Sequence, residues 1–270
     1  MYPEITPLIR DAIKRRYEIL PYIYSLSLES HLYASPPQRW IGWGYESDPE
    51  VWTKKLKQGD DQFWFGDTLL VGGVYAPGVS SAKIYLPRKA AGSEPLDFDY
   101  GYVNLSPPYN YLAAGQWVDI ESEWKTHIPL LARIGGAIPV GKSTPTRSPG
   151  EKERDATAAA LEEDDYRGVE IFPPQGSSHG KVFTSTWLED DGFSQRPQIS
   201  KYTVRYSSTE EKVIIGFSGR DESSRYVPAW SSLDIILPQG DRRHLVDDAG
   251  KPLLDVGYCS KGRHIYRIKR

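Results

Sequence analysis

Residues 59–87, GDDQFWFGDTLLVGGVYAPGVSSAKIYLP, constrain the fold more than any other stretch of this chain. Leu69, Leu70, Val71 and Val74 form a near-continuous apolar run, too short for a helix and bracketed by glycine and proline. A half-exposed strand alternates apolar and polar residues; an unbroken run is a strand covered on both faces. The pattern predicts a loop bearing Asp60 and Asp61, a strand over 62–65, a Gly66-Asp67 turn, a buried strand over 68–75, a Pro77-Gly78 turn and a strand over 83–86. Such a hairpin needs material on both sides, and a chain of 270 residues can bury roughly 70–75% of its unfolded surface without staples.

One long helical pattern precedes it. Ile5, Leu8, Ile9, Ala12, Ile13, Tyr17, Leu20, Ile23 and Tyr24 recur at three- and four-residue steps between Pro3 and His31, while Arg10, Lys14, Arg15 and Arg16 take the opposite face. Thr6 is the expected N-cap, with Pro7 at the first helical position. Pro21 kinks or divides the helix, since it removes a backbone donor and its ring clashes with the preceding turn. Nothing helical follows that can cover the apolar stripe, so the stripe is expected to lie exposed.

After a connector at 35–48, rich in Pro, Gly and aromatics, short strand patterns recur at 96–103, 116–121, 128–134 and 137–140. Ser, Thr, Pro, Gly and charges then dominate 142–168, read as an exposed linker or insertion with a short helix over 153–162. Strand patterns resume at 168–172, 181–188, 201–206, 211–217, 231–237, 243–246 and 263–268. The 8 Trp, 18 Tyr and 7 Phe, beside 24 Gly and 21 Pro, fit a strand-rich chain with many turns.

Charge narrows the partners. With 33 basic and 36 acidic residues there is no basic stripe, so no nucleic acid is expected. No run approaches the ~18–20 apolar residues of a membrane span, so no membrane partner is expected. The start is acidic and amphipathic where a secretory leader is basic and then apolar; no signal peptide and a cytoplasmic location are the expectation. Cys259 is the only cysteine and excludes an internal disulfide. The histidines at 31, 127, 179, 244 and 264 show no ligand spacing, so neither a metal nor any other cofactor is expected.

Three patterns compete for chemistry. Asp119, Glu121 and Glu123 are carboxylates of the kind glycoside hydrolysis uses in pairs, but in a strand they share one face with Trp117 while Val118 and Ile120 face the other. That is the pattern of a solvated outer face, and the structural reading is preferred. Glu189-Asp190-Asp191-Gly192 offers oxygens for calcium, yet Asp-Gly after an apolar strand is an ordinary turn signal. Trp40 and Trp43, with Tyr45, are candidates for stacking on sugar rings; filling the joint between helix and sheet is the preferred alternative. The residues alone describe a soluble two-unit β protein with a helical lead-in and no complete catalytic constellation.

The order of the pieces resembles the C-terminal third of glycoside hydrolase family 31, the α-glucosidase and α-xylosidase family. The helix RYEILPYIYSL, from Arg16 to Leu26, is similar to that family's last barrel helix, and Asp60 to Val74 is similar to its D-x-Q-F-x-x-G-x-x-L-L-V signature. Tyr85-Leu86-Pro87, Gly115 to Asp119, Ile128 to Pro139 and Leu188 to Ser194 follow in the family's order. The chain departs from it at Arg39-Trp40-Ile41, where the family has R-P-L, and at Gly72-Gly73, where it has Ala-Pro.

The resemblance implies a mainly β fold: two consecutive antiparallel β-sandwich domains preceded by one long helix, the last of an otherwise missing (β/α)8 barrel. The expected divisions are 1–48 for helix and connector, 49–141 for a proximal sandwich, 142–168 for a linker and 169–270 for a distal sandwich. It also implies that the acid and nucleophile are barrel aspartates outside this chain. No catalytic residue is therefore assigned, and Trp40 and Trp43 remain the sole substrate-binding candidates. The expected partner is a barrel-bearing catalytic region or chain, with carbohydrate as a further ligand. The rival expectations are a free-standing carbohydrate-binding or interaction module and the non-catalytic subunit of a split glycosidase.

Overall fold

The buried strand of 59–87 sits in the middle of the first sheet. The structure, a computed structural model, describes residues 3–57, 61–74, 76–89, 100–123, 128–142, 164–219 and 226–269. Gln38–Arg39 (β1), Gln62–Phe65 (β2) and Leu69–Gly72 (β3) are followed across the sheet by Leu130–Arg133 (β8), Tyr102–Asn104 (β5) and Tyr111–Leu112 (β6), every neighbouring pair antiparallel. On β3, Leu69 packs with Tyr22, Leu26 and Ile138, while Leu70 packs with Trp64, Ile84 and Tyr102 in a separate cluster. Burial on both sides is what demands an unbroken apolar run. Ser81–Leu86 (β4) and Gln116–Glu121 (β7) form a two-stranded sheet whose Ala82, Ile84, Leu86 and Ile120 share that second cluster with β2, β3 and β8.

The second half is built the same way. Leu254–Tyr258 (β16), His264–Lys269 (β17), Ser232–Ile236 (β14), Arg167–Ile171 (β10) and Ala137–Val140 (β9) form a five-stranded sheet. Phe183–Glu189 (β11), Ser200–Ser208 (β12), Lys212–Gly219 (β13) and His244–Asp247 (β15) form a four-stranded one. Val169, Leu233, Ile235 and Tyr266 of the first meet Trp187, Tyr202, Val204 and Ile215 of the second in one core. Antiparallel pairing throughout is not what is found: β10–β14 and β13–β15 are parallel. A parallel pair needs a long crossover, and between β13 and β15 the chain crosses to β14 in the other sheet before returning.

Ala137–Val140 falls within 49–141 by number, yet it hydrogen-bonds to β10 in the five-stranded sheet. Gly135, at φ +90°, turns the chain, and its N–H reaches Phe172 O at 2.8 Å. β16 has no counterpart among the expected strands, because Leu254, Asp255, Val256 and Tyr258 are all exposed and a register shift near Gly257 breaks the alternation. The two-residue strands β1 and β6 are too short to leave a pattern. The short helix expected over 153–162 and most of the linker at 142–168 lie outside the described residues, as do residues 96–99 of the strand expected over 96–103.

The lead-in helix is two helices. A 3-10 turn, Pro3–Ile5, runs into Thr6–Glu18 (α1), and Leu20–Tyr33 (α2) follows after Ile19. Pro21 stands in the first turn of α2, where a missing N–H is harmless, so the helix divides rather than bends. At the break the Glu18 carbonyl accepts the Gly141 N–H at 2.7 Å. Thr6 is not the N-cap: the 3-10 turn puts Ile5 there, with no side-chain cap bond.

α2 is keyed to both halves. Tyr22 Oη donates to Phe65 O at 2.8 Å, and Leu188 N–H donates to Ser25 Oγ at 3.0 Å on β11. Gly66, at φ +62°, lets the helix come this close: a Cβ there would sit 2.1 Å from Tyr22 Oη and 2.8 Å from Leu26 Cδ2. Among the described residues no helix is long and apolar enough to cross a membrane.

Candidate functional site

Charges converge where α1 meets the five-stranded sheet. β10 is buried along its whole length, and Glu170 interrupts it between Val169 and Ile171. Arg15, one turn before the helix break, donates to both Glu170 oxygens, at 2.7 and 2.8 Å, in a fork-to-fork pair. Arg263, in the turn before β17, donates to the same carboxylate. Arg15 also reaches Glu18 Oε2 at 3.2 Å, and Lys261 holds both Glu18 oxygens at 3.1 Å. Burial alone pushes Glu170 up, but Arg15 and then Arg263 outweigh it and hold the carboxyl down at about 2. A carboxylate locked ionised by two guanidiniums cannot donate a proton at neutral pH, and its lone pairs are occupied. It fastens α1 to the sheet.

This cluster corrects the helical reading, which turned Arg15 to the solvent face. α1 presents Arg15 and Glu18 to the body and turns its apolar stripe outward: Ile9, Ile13 and Tyr17 are 43–54% exposed, and Leu20 and Tyr24 beyond the break are 48% and 38% exposed. The signal in the sequence was a glutamate inside an apolar strand, which requires a cation from elsewhere.

The carboxylates singled out in the sequence are not brought together. Asp119 and Glu121 are exposed on β7, with Lys83 opposite Asp119 across the pair, and Glu123 is exposed beyond it. Trp117 donates its indole N–H to Glu50 at 2.9 Å, beneath Lys55 at 4.9 Å from its ring. Asp61 lies 3.8 Å from Lys55, and Asp60 is outside the described residues.

In the 189–194 turn each carboxylate has a partner. Glu189 accepts from Trp187, Arg167 and Trp230 at 2.7, 2.7 and 3.1 Å. Asp190 accepts Tyr24 Oη at 2.6 Å and Gly192 N–H at 2.8 Å. Asp191 closes the turn on the Phe193 and Ser194 N–H groups at 3.2 and 3.0 Å. Among the described residues no three His, Cys, Asp or Glu side chains converge as metal ligands. His264, missed as a paired group, lies 2.8 Å from Asp255 with its ring between Tyr258 and Tyr266.

The two tryptophans named in the sequence part company. Trp40 is half-buried against the first core, its N–H on Leu56 O at 3.2 Å and its ring over Gly42, where a Cβ would lie 2.2 Å away. Trp43 stays 44% exposed, with the Arg39 guanidinium 5.6 Å from its ring.

Residues 34–138, which carry β1 to β8, match the family described as Glycosyl hydrolase family 31 C-terminal domain. Neutral alpha-glucosidase C of Mus musculus is 30% identical over 191 residues, 71% of this chain and 18% of the relative. The chain is related to glycoside hydrolase family 31, in its C-terminal region. Neutral alpha-glucosidase C of Macaca fascicularis extends the family match to 96% of this chain and 30% of its own length, at 29% identity. The chain thus spans between about a fifth and a third of the curated relatives it matches. Among family 31 structures, the Flavobacterium johnsoniae dextranase complexed with glucose covers 97% of this chain and 31% of its own, at TM-score 0.72 and 19% identity. The alpha-xylosidase from Xanthomonas citri covers all of this chain and 25% of its own, at TM-score 0.62 and 18% identity. At these identities the two share the fold.

Proposed function

We propose that this chain is the C-terminal β portion of a family 31 α-glycosidase, acting on α-glucosides or α-xylosides, and that its own role is to brace a catalytic barrel. On this reading α1 and α2 are the last helix of the barrel, the proximal sandwich runs from about 49 to the turn before β9, and β9 joins 169–270 in the distal one. The observation that carries it is the outward apolar stripe Ile9, Ile13 and Tyr17 of α1, continued by Leu20 and Tyr24 of α2, while the other side of α1 is fastened to the sheets by Arg15 and Glu18. A helix locked in place with its apolar face outward awaits a covering surface. A cleft of about 820 Å³ runs beside it, between Ile5, Leu8, Ile9 and Ala12 of the lead-in and Val79, Ile128 and Pro129. The carboxylates on β7 and in the 189–194 turn, being solvated or engaged, support a non-catalytic role.

The barrel reaches the stripe either in cis or as a partner chain. Co-expression with a family 31 barrel lacking its C-terminal region tests this: the two are expected to co-purify and to hydrolyse an α-glucoside. Failure to associate, with the barrel folded, would overturn the bracing role.

A further inference from the structure

We propose that the turn at 40–52 is a binding site for a neutral polysaccharide, with the open faces of Trp43 and Trp52 as stacking platforms. The inference concerns residues that follow the lead-in helices and are not part of their apolar stripe. Trp43 and Trp52 are 44% and 49% exposed within ten residues of one another, while the aliphatic residues of the same stretch, Ile41 and Val51, are fully buried. The stretch therefore exposes aromatic faces and none of its own aliphatic side chains, unlike the core of a protein–protein contact.

Each ring has a neighbour that is itself held in place. The Arg39 guanidinium lies 5.6 Å from the Trp43 ring, and Trp40 lies 4.8 Å from Trp52 at 58°. Arg39 is itself tied to Asp67, to Glu29 at 3.3 Å and to Pro36 O at 2.8 Å. The backbone beneath is equally fixed. The backbone N–H of Trp43 bonds Trp40 O at 2.9 Å and that of Tyr45 bonds Gly42 O at 2.8 Å, fixing the turn, and the Trp52 indole N–H bonds Glu46 O at 2.9 Å, pinning that ring to it. Tyr45 stacks on buried Trp64 at 5.5 Å and 6°, and buried Asp48 takes Tyr85 Oη at 2.8 Å and Arg88 N–H at 2.9 Å.

Rings so fixed lose little freedom when a ligand arrives. Their exposed faces suit the C–H face of a pyranose, and the stretch and the residues just after it expose both signs of charge, Glu46 and Lys55, with no one-sign field that would draw a charged polymer.

Affinity electrophoresis through soluble starch, dextran, pullulan and xylan tests this with the folded chain. Trp43→Ala and Trp52→Ala are each expected to weaken retardation by one of these glycans about tenfold. The double variant is expected to migrate unretarded, while Trp→Phe at both sites keeps part of the affinity. Phe193→Ala, at a ring 86% exposed on a different turn, is expected to behave as wild type. Circular dichroism establishes that each variant is folded. A wild-type chain unretarded by all four glycans would assign the patch to a protein contact and overturn the proposal. So would a double variant retarded as strongly as wild type.

Discussion

Glu170 is the residue on which the helical lead-in depends. Its alanine variant leaves Arg15 and Arg263 facing an apolar strand with their shared carboxylate gone, and breaking such a buried pair costs about 3–5 kcal/mol. Urea titration of Glu170→Ala is expected to show a loss in that range, and a loss below about 1 kcal/mol would contradict the reading of the cluster. The pH dependence follows from the same contacts. The folded carboxyl is held at about 2 against an ordinary value of 4.5, so the folded state is favoured above the unfolded pKa and the benefit is lost as pH falls toward the folded one. The shift corresponds to about 3 kcal/mol. Acid titrations followed by circular dichroism are expected to lose that much between about pH 5 and pH 2, and Glu170→Gln is expected to flatten this part of the profile. Asp119 offers the contrast. It is exposed opposite Lys83, and Asp119→Asn is expected to change stability by no more than about 0.5 kcal/mol.

At the scale of elements, local signals and long-range contacts separate. β2, β7 and β9 match their expected bounds, since each carries its own apolar pattern between turn residues. The division at Pro21 was legible for the same reason: a missing donor and a ring clash act within one turn. β16 was not legible, being exposed on both faces, and the parallel partners of β10 and β13 depend on which strand the chain meets after a crossover. The exposure of the α1 stripe was legible, since nothing helical follows to cover it, but the facing of Arg15 was not, because periodicity does not mark what the opposite side of the helix meets. The partner that turned Arg15 inward lies 155 residues away. Two predictions belong here. Ile13→Ser with Tyr17→Ser is expected to change the unfolding midpoint little and to reduce self-association by light scattering, because both residues are already about half exposed. Unchanged association in that variant would mean that the stripe is not sticky. Gly66→Ala places a Cβ at positive φ against Tyr22, and denaturant titration is expected to show a loss of about 1–3 kcal/mol.

At the scale of the molecule, two layered β halves are joined through α2, whose Tyr22 and Leu26 share one cluster with Leu69, Ala132, Ile138 and Phe172. Leu69→Ala opens that cluster at the joint and is expected to cost about 2–5 kcal/mol by urea titration. The 59–87 stretch announced this architecture in the sequence, because a strand with a core on each side must be apolar on each side. The candidate site was less legible. The carboxylates that stand out by spacing are solvated or engaged in turns, while Glu170 is hidden among apolar neighbours. The two exposed tryptophans were distinguishable from Trp40 only once Gly42 had placed Trp40 against the core. On the proposed reading, the acid and nucleophile of the parent family 31 enzyme are not among these residues. Hydrolysis of p-nitrophenyl α-glucoside by the pure chain tests this. No release of p-nitrophenol above the buffer rate is expected, in wild type and in Asp119→Asn alike. Turnover by the wild type that disappears in a folded Asp119→Asn variant would contradict it.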